Sequence, residues 1–249
     1  MTRIGVFDSG IGGVNVLKKL MDRHKATYFY LGDNKRIPYG SKSKDQIIEY
    51  SNQIVNFLEK YKIDFYVVAC NTIAANALND LKKNFDKKFI PVTEMGVKAC
   101  LENEGDVFVL ATKATVATHY YKKEIESRSN KKVTEVAALK FVDFIEEGID
   151  SGDELDFAIK EYIKEANDKK IENIVLGCTH YPMIKDQIEK NLTYKANIID
   201  PADYLSQKIS FLENDKTDLE IFMTDTKPIT KNMVSKILGM DVTINKVIL

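Results

Sequence analysis

Val67-Val68-Ala69-Cys70-Asn71-Thr72 and Val175-Leu176-Gly177-Cys178-Thr179-His180 decide how this chain folds. Each block starts as an apolar run, passes a small residue, and ends on a cysteine followed by polar side chains. A short continuous apolar run of this kind reads as a strand covered on both faces. Helical sequence follows the first block at 73–81, and Pro182 suits the first turn of a helix after the second. Both are strand-to-helix junctions of one design. The cysteines lie 178 − 70 = 108 residues apart, a plausible domain length. Two similar halves facing each other across a cleft would account for the echo.

The same alternation runs outward in both directions. Strand signals at 4–7, 28–31, 65–69, 90–92, 107–110, 133–137, 174–176, 198–199 and 221–223 are separated by helical spacing. Val14, Leu17 and Leu20 share one helical face, as do Ile47, Tyr50, Ile54, Leu58 and Tyr61. Such β-α repetition predicts an α/β fold of mostly parallel sheets flanked by helices.

With 249 residues, 44% of them hydrophobic, the chain can bury a sizeable core. Its 36 basic and 37 acidic residues leave a formal charge of −1, so no electrostatic grip on nucleic acid or anionic lipid is expected. The lysines at 82, 83, 87 and 88 read as solvated surface. The apolar runs are far shorter than the ~20 residues of a membrane helix. Residues 1–8 enter a strand pattern directly, without the apolar stretch of a signal peptide. Three cysteines do not make a disulfide framework. A cytoplasmic protein with free thiols is expected.

In parallel α/β sheets, ligands bind beyond the carboxyl ends of the strands. Cys70 and Cys178 are expected there, each before a helix N-terminus whose dipole lowers a thiol pKa. Asn71, Thr72, Thr179 and His180 surround them with hydrogen-bonding groups. A lone buried cysteine is usually an inert small hydrophobe; two in matched polar strand-end contexts favour chemistry. Cys100, in Lys98-Ala99-Cys100-Leu101, lacks such neighbours and reads as structural.

Asp8-Ser9-Gly10-Ile11-Gly12-Gly13 follows the first strand and is neither a Walker A nor a full dinucleotide fingerprint. There Asp8 can orient or deprotonate a neighbour, and Ser9 can hold an amine or carboxylate. Residues 32–40 form a loop in which Tyr39 can line a pocket. The threonines of 111–118 fit helix capping and carboxylate binding equally. Among three histidines only His180 abuts a thiol, and His24 and His119 read as structural or exposed. The residues leave three classes open: proton transfer by two thiols, a hydrolase or transferase using Cys178 with His180, and a binding protein with structural thiols. A Cys/His metal site is disfavoured, since no C-x-x-C spacing exists.

Four blocks in order carry a resemblance over essentially the whole chain: 5–13, the loop 32–40, Ala69-Cys70-Asn71-Thr72, and Leu176-Gly177-Cys178-Thr179-His180-Tyr181-Pro182. The sequence resembles glutamate racemases of the aspartate/glutamate racemase superfamily. The resemblance implies two pseudo-twofold-related domains, 1–93 with 206–249 and 94–205, with the active site between them. It implies cofactor-independent, metal-free racemisation, with Cys70 taking the proton from D-glutamate and Cys178 from L-glutamate. Asp8, His180 and Glu146 would assist, and Ser9, Pro38, Tyr39, Gly40, Asn71, Thr72, Thr115 and Thr179 would hold the amino acid. A homodimer supplying D-glutamate for peptidoglycan is further implied. The chain departs from the family pattern at Asn34, Lys35, Ala111, 93–96 and Ala138-Leu139-Lys140. A preference for aspartate depends on pocket size, which spacing does not give.

Overall fold

Hydrogen bonding between the apolar runs gives two all-parallel sheets in the computed structural model, which describes residues 1–249. The chain begins with β1 (Arg3–Asp8), α1 (Gly13–Met21), β2 (Thr27–Gly32), a 3-10 turn (Tyr39–Ser41) and α2 (Lys44–Glu59). It continues through β3 (Phe65–Val68), α3 (Asn71–Asn84), β4 (Lys88–Pro91) and α4 (Val92–Glu102). Next come β5 (Val107–Ala111), α5 (Lys113–Val116), α6 (Tyr120–Glu126), β6 (Val133–Ala137), α7 (Phe141–Glu146) and α8 (Asp153–Lys169). Then follow β7 (Asn173–Gly177), a second 3-10 turn (Tyr181–Ile184), α9 (Lys185–Asn191), β8 (Asn197–Ile199) and α10 (Pro201–Lys208). The chain closes with β9 (Asp218–Met223), α11 (Pro228–Leu238) and β10 (Ile244–Lys246). The first sheet has the order β10-β9-β2-β1-β3-β4 and the second β6-β5-β7-β8.

Alternation along the strands places side chains on two faces, and both faces are covered. In β2, Tyr28 and Tyr30 enter the cluster under α1, α10 and α11. Phe29 and Leu31 enter the opposite cluster, under α2 and α3. In β5, Phe108 and Leu110 pack toward α7 and α8, and Val107 and Val109 toward α4 and α6. Each such side chain, fully buried, contributes about 1.5–3 kcal/mol. Helix α2 starts where it does because Ser43 and Gln46 form a reciprocal capping box. No helix is long and apolar enough to cross a membrane.

One local expectation is corrected, and one strand is added. The apolar run at 90–92 divides: β4 ends at Pro91, and Val92 already opens α4. Strand β10 is absent from the sequence reading because three residues with one apolar side chain carry no periodic signal.

Strand order fixes where a site can form. From β1 the chain steps to β2 on one side and then to β3 on the other, so β1 and β3 flank a switch point. From β5 it steps to β6 and then to β7, which makes a second switch point. The register pairs Phe7 with Val68 and Ala111 with Gly177. Asp8, Cys70, Thr112 and Cys178 therefore all emerge at switch-point strand ends.

These strand ends meet closely because glycines line the seam. A Cβ on Gly12 would lie 2.5 Å from Thr179 Oγ1 and 2.6 Å from His180 Nδ1. One on Gly40 would lie 2.7 Å from Thr112 Cβ. Asn15 on α1 completes the seam, its amide donating to the carbonyls of Gly12 at 3.2 Å and Thr179 at 3.3 Å. Gly12→Ala should therefore destabilise the fold by about 1–3 kcal/mol through overpacking. Urea denaturation checks this, with a lowered midpoint at an unchanged slope expected.

Candidate active site

The seam holds two chains of polar contacts, one behind each cysteine. Cys70 caps the N-terminus of α3, and its Sγ lies 3.6 Å from Ser9 Oγ. Ser9 Oγ in turn makes a long 3.5 Å contact with Asp8 Oδ1. Asp8 is completely buried, accepting from Gly10 N–H at 2.8 Å and from Thr179 Oγ1 at 3.0 Å. On the other side Cys178 Sγ lies 3.8 Å from His180 Nδ1, and His180 Nε2 meets Glu146 Oε1 at 2.6 Å. The Thr179–Asp8 hydrogen bond joins the two chains.

Both thiols face one narrow cleft. Of the residues singled out in the sequence, Ser9, Pro38, Tyr39, Gly40, Cys70, Asn71, Thr72, Cys178, Thr179 and His180 line it. Asp8 and Glu146 stand behind the lining, in contact with Thr179 and His180. Thr115 also lies behind the wall. Its hydroxyl is 3.0 Å from Thr112 Oγ1, which is 2.9 Å from Thr72 Oγ1. Three further lining residues are Ile37, Thr112 and Val142. Thr112 sits in the threonine-rich stretch already noted, but apolar Ile37 and Val142 carry no sequence signal. Nor does Tyr121, whose hydroxyl donates to Asn71 Oδ1 at 2.7 Å and so directs the amide NH2 away from itself. Cys100 lies in the core, His24 contacts Glu213 and the Ser206 carbonyl, and His119 contacts Glu135. No three His, Cys, Asp or Glu side chains converge as a metal site requires.

The electrostatics correct one expectation. Burial and the neighbouring Asp8 carboxylate push the Cys70 thiol from 9.0 up to about 12. The Ile73 N–H and the Ser9 hydroxyl pull the other way and lose. A helix N-terminus therefore does not yield a thiolate here, because desolvation exceeds the dipole. Burial also raises Asp8, against the opposing charge of His180 and the Gly10 and Thr179 hydrogen bonds. Burial alone would lower His180, but its contacts with Cys178 and Glu146 prevail and hold it well above the usual histidine range. The His180 ring is thus held between Cys178 Sγ and the Glu146 carboxylate, which favour its charged form. A cleft with hydroxyl and amide donors around two cysteines suits a small zwitterion carrying carboxylates, whose ammonium would favour the Cys70 thiolate.

A family model described as Asp/Glu/Hydantoin racemase matches residues 7–209. The chain belongs to this family. Full-length relatives agree with that placement. The glutamate racemase of Persephonella marina is 37% identical over 98% of this chain and 96% of its own length. That of Aquifex pyrophilus is 38% identical over 96% and 95%. A crystal structure of glutamate racemase from Francisella tularensis, in complex with D-glutamate, superposes with a TM-score of 0.89 at 32% identity. It covers 99% of this chain and is itself covered to 97%. The racemase fold expected from the four sequence blocks is therefore the fold observed.

The raised Cys70 value sets a pH test. The folded protein binds this proton more tightly than the unfolded chain does. The associated stability is present below pH 9.0 and is lost as pH rises toward about 12. Alkylation of Cys70 by iodoacetamide, mapped by mass spectrometry, should keep climbing over that range in the folded protein. In urea it should level off near pH ~9. A plateau at the lower pH in both states would contradict the burial argument.

Proposed function

We propose that the protein is a glutamate racemase, an isomerase interconverting L- and D-glutamate by proton transfer between Cys70, Cα and Cys178. The observation that carries this reading is the opening of both thiols into one buried cleft, each backed by its own acid–base partners. In the forward direction Cys178 as thiolate takes the proton from the Cα of L-glutamate. The C–H electron pair stays on Cα while an S–H bond forms. Cys70 then donates its proton to the other face of Cα and becomes the thiolate. The reverse reaction starts with Cys70 as base and D-glutamate as substrate.

The remaining residues serve binding and proton control. Ser9, Asn71, Thr72 and Thr179 offer donors to the amino acid, with the backbone of Pro38, Tyr39 and Gly40 closing the lip. Thr115 acts from behind, by fixing the Thr72–Thr112 pair. Asp8 attracts the substrate ammonium and supports proton exchange at Cys70, and His180, held by Glu146, does so at Cys178. A water-poor cleft with fixed N–H dipoles stabilises the developing carbanion. The two sheets serve as cores of two domains, 1–93 with 206–249 and 94–205, that close on the substrate. The protein works as a homodimer in the cytoplasm, and its D-glutamate enters peptidoglycan.

Incubation with L-glutamate in D2O, without added cofactor, tests the reading. The Cα–H signal and the optical activity should disappear at related rates. Cys70→Ser and Cys178→Ser should each lower turnover by about 10²–10⁴-fold, the range of a lost acid–base group, while glutamate still binds. Normal turnover by either variant would sink the two-thiol mechanism. Faster exchange of L-aspartate than of L-glutamate would reassign the substrate.

A further inference from the structure

Asp33 is a carboxylate buried outside the cysteine clusters, at the carboxyl end of β2. A buried carboxylate must be fully satisfied to be tolerated, and this one is met from three directions. Tyr39 donates its hydroxyl to Asp33 Oδ2 at 2.5 Å. Arg36 donates Nε–H to the same oxygen. Thr224, just beyond β9, donates to Oδ1 at 2.8 Å. The backbone N–H of Asp33 is itself bound to the carbonyl of Asp8 at 3.1 Å, so the hub is tied to the end of β1.

Two of these donors lie on the loop that forms the lip of the cleft. Arg36 is fixed further by stacking over the Tyr50 ring at 4.0 Å, and Tyr39 packs on the same ring with centroids 5.6 Å apart. Tyr39 is buried in the first-sheet core with its hydroxyl turned to Asp33, while Tyr39 and Gly40 line the cleft. Burial and the Asp33 carboxylate also push the Tyr39 phenol upward, so it remains a donor. On its far side the lip abuts Thr112, against which Gly40 leaves no room for a side chain. The path of the lip is thus set at one end by Asp33 and at the other by the second half.

We infer that Asp33 is a positioning residue for substrate binding, holding the Pro38–Gly40 lip in register with the two thiols through the Tyr39 hydroxyl. The inference rests on the racemase reading above. Asp33 touches neither thiol, so its loss should move substrate affinity more than the chemical step. Charge-assisted hydrogen bonds are the strong ones, and neutralising this hub weakens three at once.

The test compares the wild-type protein with Asp33→Asn, Tyr39→Phe and the double variant, measuring kcat and KM for both enantiomers. Asp33→Asn should raise KM by about tenfold or more, with kcat falling less than threefold. Tyr39→Phe keeps the ring and its packing, so it isolates the hydroxyl, and it should shift KM in the same direction. The double variant should be no worse than the poorer single one, because the Tyr39–Asp33 hydrogen bond is already lost or weakened in each. Unchanged KM in Tyr39→Phe, or fully additive losses, would overturn the inference. An inactive wild type would defeat the racemase reading instead. In that case hydrogen exchange of the 39–41 backbone amides decides: faster exchange in Tyr39→Phe supports positioning, and unchanged protection rejects it.

Discussion

A fully buried carboxylate governs the arrangement of this molecule. Asp8 is completely buried at the end of β1, and its ionised form is tolerable only with compensating partners. One partner, the Gly10 N–H, comes from the turn that follows; another, the Thr179 hydroxyl, comes from the opposite half of the chain. Asp8 is therefore satisfied only when the two switch points are brought together. The glycines of the seam permit that approach, and Asn15 binds it from the α1 side. The packing of the two halves and the geometry of the site therefore depend on the same contacts.

The same closure explains the chemistry. Bringing two strand ends together excludes water, which strengthens every remaining charge interaction. It also makes a free thiolate at Cys70 unfavourable, with the value pushed to about 12. The cleft spends little on recognition beyond short hydroxyl and amide side chains. Residues behind its wall, Asp8, Thr115 and Glu146, hold the side chains that line it.

The sequence makes the framework legible and the supporting shell much less so. Continuous apolar runs such as Val67-Val68 and Val175-Leu176 announce strands buried on both faces, and the polar residues after each cysteine mark the strand ends. What periodicity conveys poorly is long-range contact. Tyr121 bonds Asn71 across 50 residues, and Thr224 bonds Asp33 across 191. Ile37 and Val142 are ordinary apolar side chains until the fold turns them to the cleft. The sign of the Cys70 shift is hidden for a related reason. A helix N-terminus is visible in sequence, whereas the depth of burial that outweighs it is a property of the assembled halves.

The unequal surroundings of the two thiols carry a thermodynamic consequence. L- and D-glutamate are mirror images of identical free energy, so their interconversion has an equilibrium constant of unity. Whatever the differences between the Asp8–Ser9 side and the His180–Glu146 side, kcat/KM must be equal in the two directions. The asymmetry can still fall on kcat and KM separately, provided they change together, and, on the two-thiol assignment, on the two protonation forms of the free protein. Burial and then the Asp8 carboxylate disfavour charge on Cys70, which favours the form with Cys70 protonated. On the two-thiol assignment that form accepts the L enantiomer, and each product D molecule leaves behind a catalyst that must recover its own proton inventory before it can begin again.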